Sequence, residues 1–85
     1  EGSNIIKFIS SQDDFIITGI NNGVDGKQVV LINGTYNNMI VKFENQNSKP
    51  ENRIYKSKED EIVIGSKEII RLLYDQDEYR WFIIN

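Results

Sequence analysis

Glu68-Ile-Ile-Arg-Leu-Leu-Tyr74, Asp75-Gln-Asp-Glu-Tyr79 and Arg80-Trp-Phe-Ile-Ile84 place two apolar runs on either side of a short polar loop. That pattern predicts a closing β-hairpin. Ile69, Ile70 and Leu73 also fit a helical stripe that Ser66 could cap, so helix stays open as the second reading over 66–74. The hairpin holds the chain's single tryptophan, Trp81. A lone Trp in a small domain serves first as a packing centre.

Upstream of the hairpin, short apolar segments recur between polar turns. Asn4-Ile-Ile-Lys-Phe-Ile9 alternates imperfectly, with Ile6 and Phe8 as the expected buried side, and Phe15-Ile-Ile-Thr-Gly-Ile20 follows as a second strand. Asn21-Asn-Gly-Val-Asp-Gly26 combines Asn-Gly and Asp-Gly pairs, which accept the positive φ of tight turns. Gln28-Val-Val-Leu-Ile-Asn33 is apolar on both faces, the mark of a strand lying between layers or at a subunit contact. Met39, Val41 and Phe43 alternate with Ile40, Lys42 and Glu44, so one face is core and the other mostly wet. Residues 45–52 form a loop around the only proline, Pro50. Arg53-Ile-Tyr-Lys56 is a short strand candidate, and Glu61-Ile-Val-Ile-Gly65 another, with Ile62 and Ile64 inward. Strands at this spacing predict an all-β fold: a sandwich of small antiparallel or jelly-roll type, a barrel, or an interleaved β-assembly such as a β-prism or β-helix.

Composition agrees. Isoleucine and asparagine are abundant, alanine is absent, and β-branched and aromatic residues suit a half-buried pleated surface. At 85 residues the chain is one domain, 4–85, or a fragment of a larger chain, with Glu1-Gly2-Ser3 as a cloning remnant. A domain of this size buries only about 60–65% of its unfolded surface. Such chains lean on disulfides, metals or partner subunits. Cysteine and histidine are both absent, which removes disulfides and the usual zinc and copper ligands and leaves self-association. Ten basic against thirteen acidic residues, with no basic block, disfavour nucleic acid as a partner. The longest apolar runs span four residues, as in Val29-Val-Leu-Ile32, against the roughly 20 needed to cross a bilayer as a helix. Membrane insertion is not expected.

The residues offer little catalytic chemistry without His or Cys. Asp75, Asp77 and Glu78 lack the glycine and terminal bidentate Glu of a calcium loop, and read as a solvated hairpin tip. Asp13-Asp14 and Glu59-Asp60-Glu61 could be paired carboxylates for glycoside hydrolysis, yet neither lies among aromatic or Arg residues in the sequence. Charged turns are the commoner explanation. The chain is expected to be non-enzymatic, with no metal and no cofactor. Asn33-Gly34-Thr35 matches a glycosylation sequon and is read as a turn. Trp81, Tyr74 and Tyr55 are expected in packing, whereas Tyr36 and Tyr79, in predicted turns, are the candidates for exposed contact together with Asp75 and Asp77. Arg53 and Arg80 each open an apolar segment, where a guanidinium would bond a carboxylate or a backbone carbonyl. Arg80 could instead stack on Trp81 of a neighbouring chain.

The succession Ile17-Thr-Gly-Ile20, Gly26-Lys-Gln-Val-Val-Leu-Ile-Asn33, Ile40-Val-Lys-Phe-Glu44, Asn52-Arg-Ile54, Ile62-Val-Ile-Gly65, Leu73-Tyr-Asp75 and Arg80-Trp81 resembles a small β-domain of bacteriophage tail fibres and other virion appendages. The likeness covers most of the chain from Phe15 onward, and its order and spacing carry it more than any single motif. It implies a homotrimeric module near the end of a fibrous virion protein, facing outward from the particle, for trimerisation and attachment to a host-surface glycan or protein. Val30, Ile32, Leu73 and Phe82 would then be covered at the trimer contact, with Trp81, Arg80, Tyr74 and Arg53 in structural packing. The alternative is a carbohydrate-binding module of a bacterial surface protein or enzyme, favoured by the tyrosines and the acidic loop.

Overall fold

A computed structural model of the chain describes residues 3–56 and 58–85. Glu1 and Gly2 of the expected remnant lie outside the described residues, as does Ser57 in the turn before the fifth strand. Among the described residues there are seven strands and no α-helix: β1 Ser3–Phe8, β2 Phe15–Ile17, β3 Gln28–Asn33, β4 Met39–Lys42, β5 Glu61–Ile64, β6 Ile69–Asp75 and β7 Arg80–Ile83. They form a four-stranded sheet in the order β1-β3-β6-β7 and a three-stranded sheet in the order β2-β4-β5. Every strand of both sheets comes from the one chain, and both sheets are open.

The all-β fold holds and is consistent with a β-sandwich, but its two sheets are mixed, which corrects the expected antiparallel arrangement. β1 runs parallel to β3 and β2 parallel to β4, while β3–β6, β6–β7 and β4–β5 are antiparallel. A parallel pair needs a crossover, which usually is a helix. Here the crossover from β1 to β3 contains β2 of the other sheet, and the one from β2 to β4 contains β3. The two sheets are thus interlocked by the chain path. Alternating side chains record which face of a strand is dry, and strand direction leaves no trace in that pattern.

The segment open between helix and strand forms β6, with Ile70, Leu72 and Tyr74 buried and Ile69 and Arg71 outward. Two other expectations shorten. The second strand ends at Ile17, and Arg53-Ile54 makes only isolated bridges, Gly19 to Arg53 and Ile54 to Trp81. Pro50–Asn52 forms a single 3₁₀ turn, proline opening it where no N–H is required.

One core joins the sheets. Val29, Leu31, Ile70, Leu72, Tyr74 and Trp81 of the larger sheet face Met39, Val41 and Ile64 of the smaller, with Phe43 and Ile54 between them. Trp81 is 0% exposed. Its indole N–H donates to the Ile20 carbonyl at 2.9 Å, its ring meets Tyr74 edge-on at 5.0 Å, and its backbone brackets Ile54 through bonds to Arg53 and Tyr55. The packing role read from the sequence holds within the single chain. Full burial leaves no face of that ring for Arg80 of a neighbour, which corrects the stacking alternative.

A polar residue is equally central. Asn33, at the end of β3, is 0% exposed. Its amide nitrogen donates to the carbonyls of Asn37 at 2.8 Å, Ile64 at 2.9 Å and Gly65 at 3.1 Å, and its oxygen accepts from the backbone and hydroxyl of Thr35. It ties the larger sheet to the end of β5 in the smaller. The sequon nitrogen is therefore consumed inside the fold.

Candidate functional site

The outward face of the larger sheet is the main unexplained surface. Alternation along β3, β6 and β7 turns Val30, Ile32, Ile69, Leu73 and Phe82 away from the core, and strand pairing gathers them. Leu73 sits opposite both Gln28 and Phe82, Ile32 opposite Ile69, and Val30 between Ile5 and Arg71. Ile84, just beyond β7, continues the row of Arg71, to whose carbonyl its N–H donates at 3.0 Å. Ile5 is 70% exposed, and the others are half-buried or exposed. Soluble domains seldom present a contiguous apolar face without a use for it. Two cations interrupt it, Arg71 in its middle and Lys7 opposite Ile32, and neither forms an ion pair among the described residues.

The face continues around the β7 edge. Tyr55 stacks on Phe82 with ring centroids 4.6 Å apart and planes at 16°. Behind them opens a cleft of about 540 Å³ lined by Phe43, Ile62 and Ile83, with Lys56, Glu59 and Glu61 as its polar side chains. Folding thus places Glu59 and Glu61 beside aromatics that are remote in sequence. The other sheet carries a smaller outward row, Ile16, Ile40 and Val63, next to the Lys42–Glu61 ion pair at 3.7 Å.

The predicted contact residues separate. Tyr36 is 90% exposed in the turn after β3, where the Lys67 ammonium lies 4.7 Å from its ring centre. Tyr79, Asp75 and Asp77 lie at the opposite end of the sheet, because the start of β6 pairs with the end of β3 and the 75–79 loop follows the far end of β6. Tyr79 and Asp77 are exposed, whereas the Asp75 carboxylate accepts the N–H groups of Asp77 at 2.9 Å and Glu78 at 3.4 Å and so shapes the loop. The described residues bring no three metal-ligating side chains together. Both arginines are held as their sequence positions implied. Arg53 donates to the Ser48 carbonyl at 3.0 Å, and Arg80 donates to the Glu44 carboxylate at 2.8 Å in a half-buried pair.

Tyr74, expected in packing, also holds a loop: its phenol donates to the Glu51 carbonyl at 2.9 Å. Burial, and then the Glu51 carboxylate, push the phenol above the ordinary tyrosine range. The folded state therefore holds this proton more tightly than the unfolded chain, whose tyrosines lose theirs near pH 10. Stability is expected to fall as pH rises from about 10 through the higher folded-state value, and Tyr74→Phe to flatten part of that slope in urea melts below and above this range. An unchanged slope in the variant would assign the pH dependence to other groups.

Ile5, Ile69 and Ile84 on the outer face escaped the sequence reading, as did the inward role of Asn33. The first three show in the sequence only as the minor side of an imperfect alternation. Asn33 looks like any turn residue. Comparisons of the chain with protein-family models, with curated proteins and with solved structures give no match.

Proposed function

We propose that this chain is a non-enzymatic module of a bacteriophage virion appendage, a tail or head fibre, that trimerises with identical copies and takes part in attachment to the host surface. The apolar outer face of the larger sheet is the observation that carries the self-association. Val30, Ile32, Leu73 and Phe82, the residues that the appendage resemblance would put at a subunit contact, all lie on it. Three such faces turned toward a common axis would remove this surface from water at about 25 cal/mol per Å². Binding between folded copies raises the stability of each, which suits a domain of this length. An arginine amid apolar side chains is also characteristic of interface centres. The motif succession from Ile17 to Trp81 supports the virion setting, on the outside of the particle.

Light scattering over a range of concentrations is expected to give a mass three times that of the 9.9 kDa chain. Leu73→Lys together with Val30→Lys should yield a folded monomer, because both side chains point away from the core. A wild-type chain that stays monomeric throughout would sink the self-association and favour the isolated carbohydrate-binding module.

A further inference from the structure

We propose that the cleft between the 21–23 loop and the 47–52 segment is a binding site for a neutral hexopyranose glycan. This gives chemistry to the attachment part of the function above and rests on that reading. The cleft measures about 610 Å³ and is lined by Asn21, Asn22, Asn47 and Asn52, with Ser48 and Glu51 among its other residues. That volume lies within the roughly 300–1,000 Å³ usual for small-molecule sites.

Both walls are tied to the core. The Asn52 amide donates to the Asn21 side-chain oxygen at 2.8 Å, and the Ile20 N–H donates to the Asn52 carbonyl at 2.9 Å. Ser48 is gripped by Arg53 at its carbonyl and by the Thr18 hydroxyl at 2.6 Å. Tyr74 holds Glu51, and Trp81 holds Ile20. The chain approaches itself closely at two glycines. A Cβ on Gly19 would lie 2.6 Å from the Asn52 carbonyl oxygen, and one on Gly23 would lie 2.3 Å from the Tyr74 ring. A site held this way is formed before the ligand arrives, which lowers the ordering cost of binding.

The lining selects the ligand class. Each asparagine offers two donors and a carbonyl acceptor in fixed relation. The Asn52–Asn21 bond uses one hydrogen of the first and the oxygen of the second. Both hydrogens of Asn21, and the second hydrogen and the oxygen of Asn52, remain for a ligand. Adjacent sugar hydroxyls, each able to donate and accept, match such paired amides. Lys49 and Glu51 contribute one charge of each sign to the lining, which favours a neutral ligand. The cleft also adjoins the end of the sheet that carries Tyr79, since Asp25 of the neighbouring loop accepts from the Gln76 N–H at 2.9 Å.

The test is an array of neutral and acidic glycans probed with the labelled full chain, followed by amide-shift titration with each hit. Saturable shifts at 21–23 and 47–52 with a neutral hexose or N-acetylhexosamine glycan are expected. Asn22→Gly, which keeps the positive φ of 66° at that position, together with Asn47→Ala should weaken that binding about tenfold or more while the rest of the spectrum stays in place. The proposal is overturned by the absence of any neutral hit, by binding of acidic glycans alone, by shifts that map to the Tyr55–Phe82 cleft, or by a variant that binds as well as the parent. Light scattering on the same samples keeps the outcomes apart. A monomer that still binds glycan at 21–23 and 47–52 removes the trimer and leaves this site standing.

Discussion

Trp81→Ala is expected to destabilise the chain by about 3–5 kcal/mol, the range for removing a large buried aromatic. Domains of ordinary stability have only about 5–15 kcal/mol in total, so the variant should lose its urea transition or shift it to very low denaturant. Three losses coincide at this position. The core gives up its largest fully buried side chain, Tyr74 loses its edge-on partner at 5.0 Å, and the Ile20 carbonyl loses the indole N–H. The last of these also frees the segment after β2 that leads into the 21–23 loop. Because Trp81 packs inside its own chain, the damage should appear in the isolated subunit. Far-ultraviolet dichroism and urea melts at low concentration provide the check, and a variant with the parent's midpoint would show that the closing hairpin is not the packing centre.

Asn33 ranks second. Asn33→Ala should cost about 2–4 kcal/mol, since it strips a donor from three carbonyls and an acceptor from Thr35 in a site without solvent, where each unmet group costs about 1–3 kcal/mol. Asn33→Asp should be worse at neutral pH despite its nearly identical shape. It sets a carboxylate against the carbonyls of Asn37, Ile64 and Gly65, and the charged form is further penalised by burial. Both effects raise the folded-state pKa of the new Asp above its unfolded value of about 3.9. Its protonated form is then the better tolerated, so the deficit should shrink as pH falls toward about 3 and grow as pH rises through the folded value. Urea melts of the three proteins at both pH values decide the matter. Equal stability of Asn and Asp at neutral pH would mean that the amide hydrogens do not clamp the sheets.

These two residues differ in how visible they were. Trp81 announces itself, because a single large aromatic between apolar neighbours has few other places to go. Asn33 sits before Gly34 and Thr35, a context shared by countless surface turns. Only the arrival of the Ile64 and Gly65 carbonyls from a strand thirty-odd residues away makes it a core residue. The same contrast runs through the candidate sites. Val30, Ile32, Leu73 and Phe82 could be singled out in advance, since a two-faced apolar strand must cover both sides. The amide-lined cleft could not, because its walls come from segments that look like unrelated polar loops.

Local chemistry settled where most strands lie, though not the early end of β2 or the reduction of 53–56 to isolated bridges, together with the closing hairpin around 75–79, the inward burial of Met39, Val41, Ile64 and Trp81, and the want of His and Cys. Side-chain alternation and turn preference act over a few residues, so they are written in the chain itself. Tertiary structure alone decided that β1 pairs with β3 and β2 with β4 in parallel, that two sheets interlock by exchanging crossovers, that Asn33 bridges them, and that Gly23 meets Tyr74 at the wall of a cleft. Those outcomes depend on which distant segments meet. That choice is made by the free energy of closing one shared core, and no short stretch of sequence contains it.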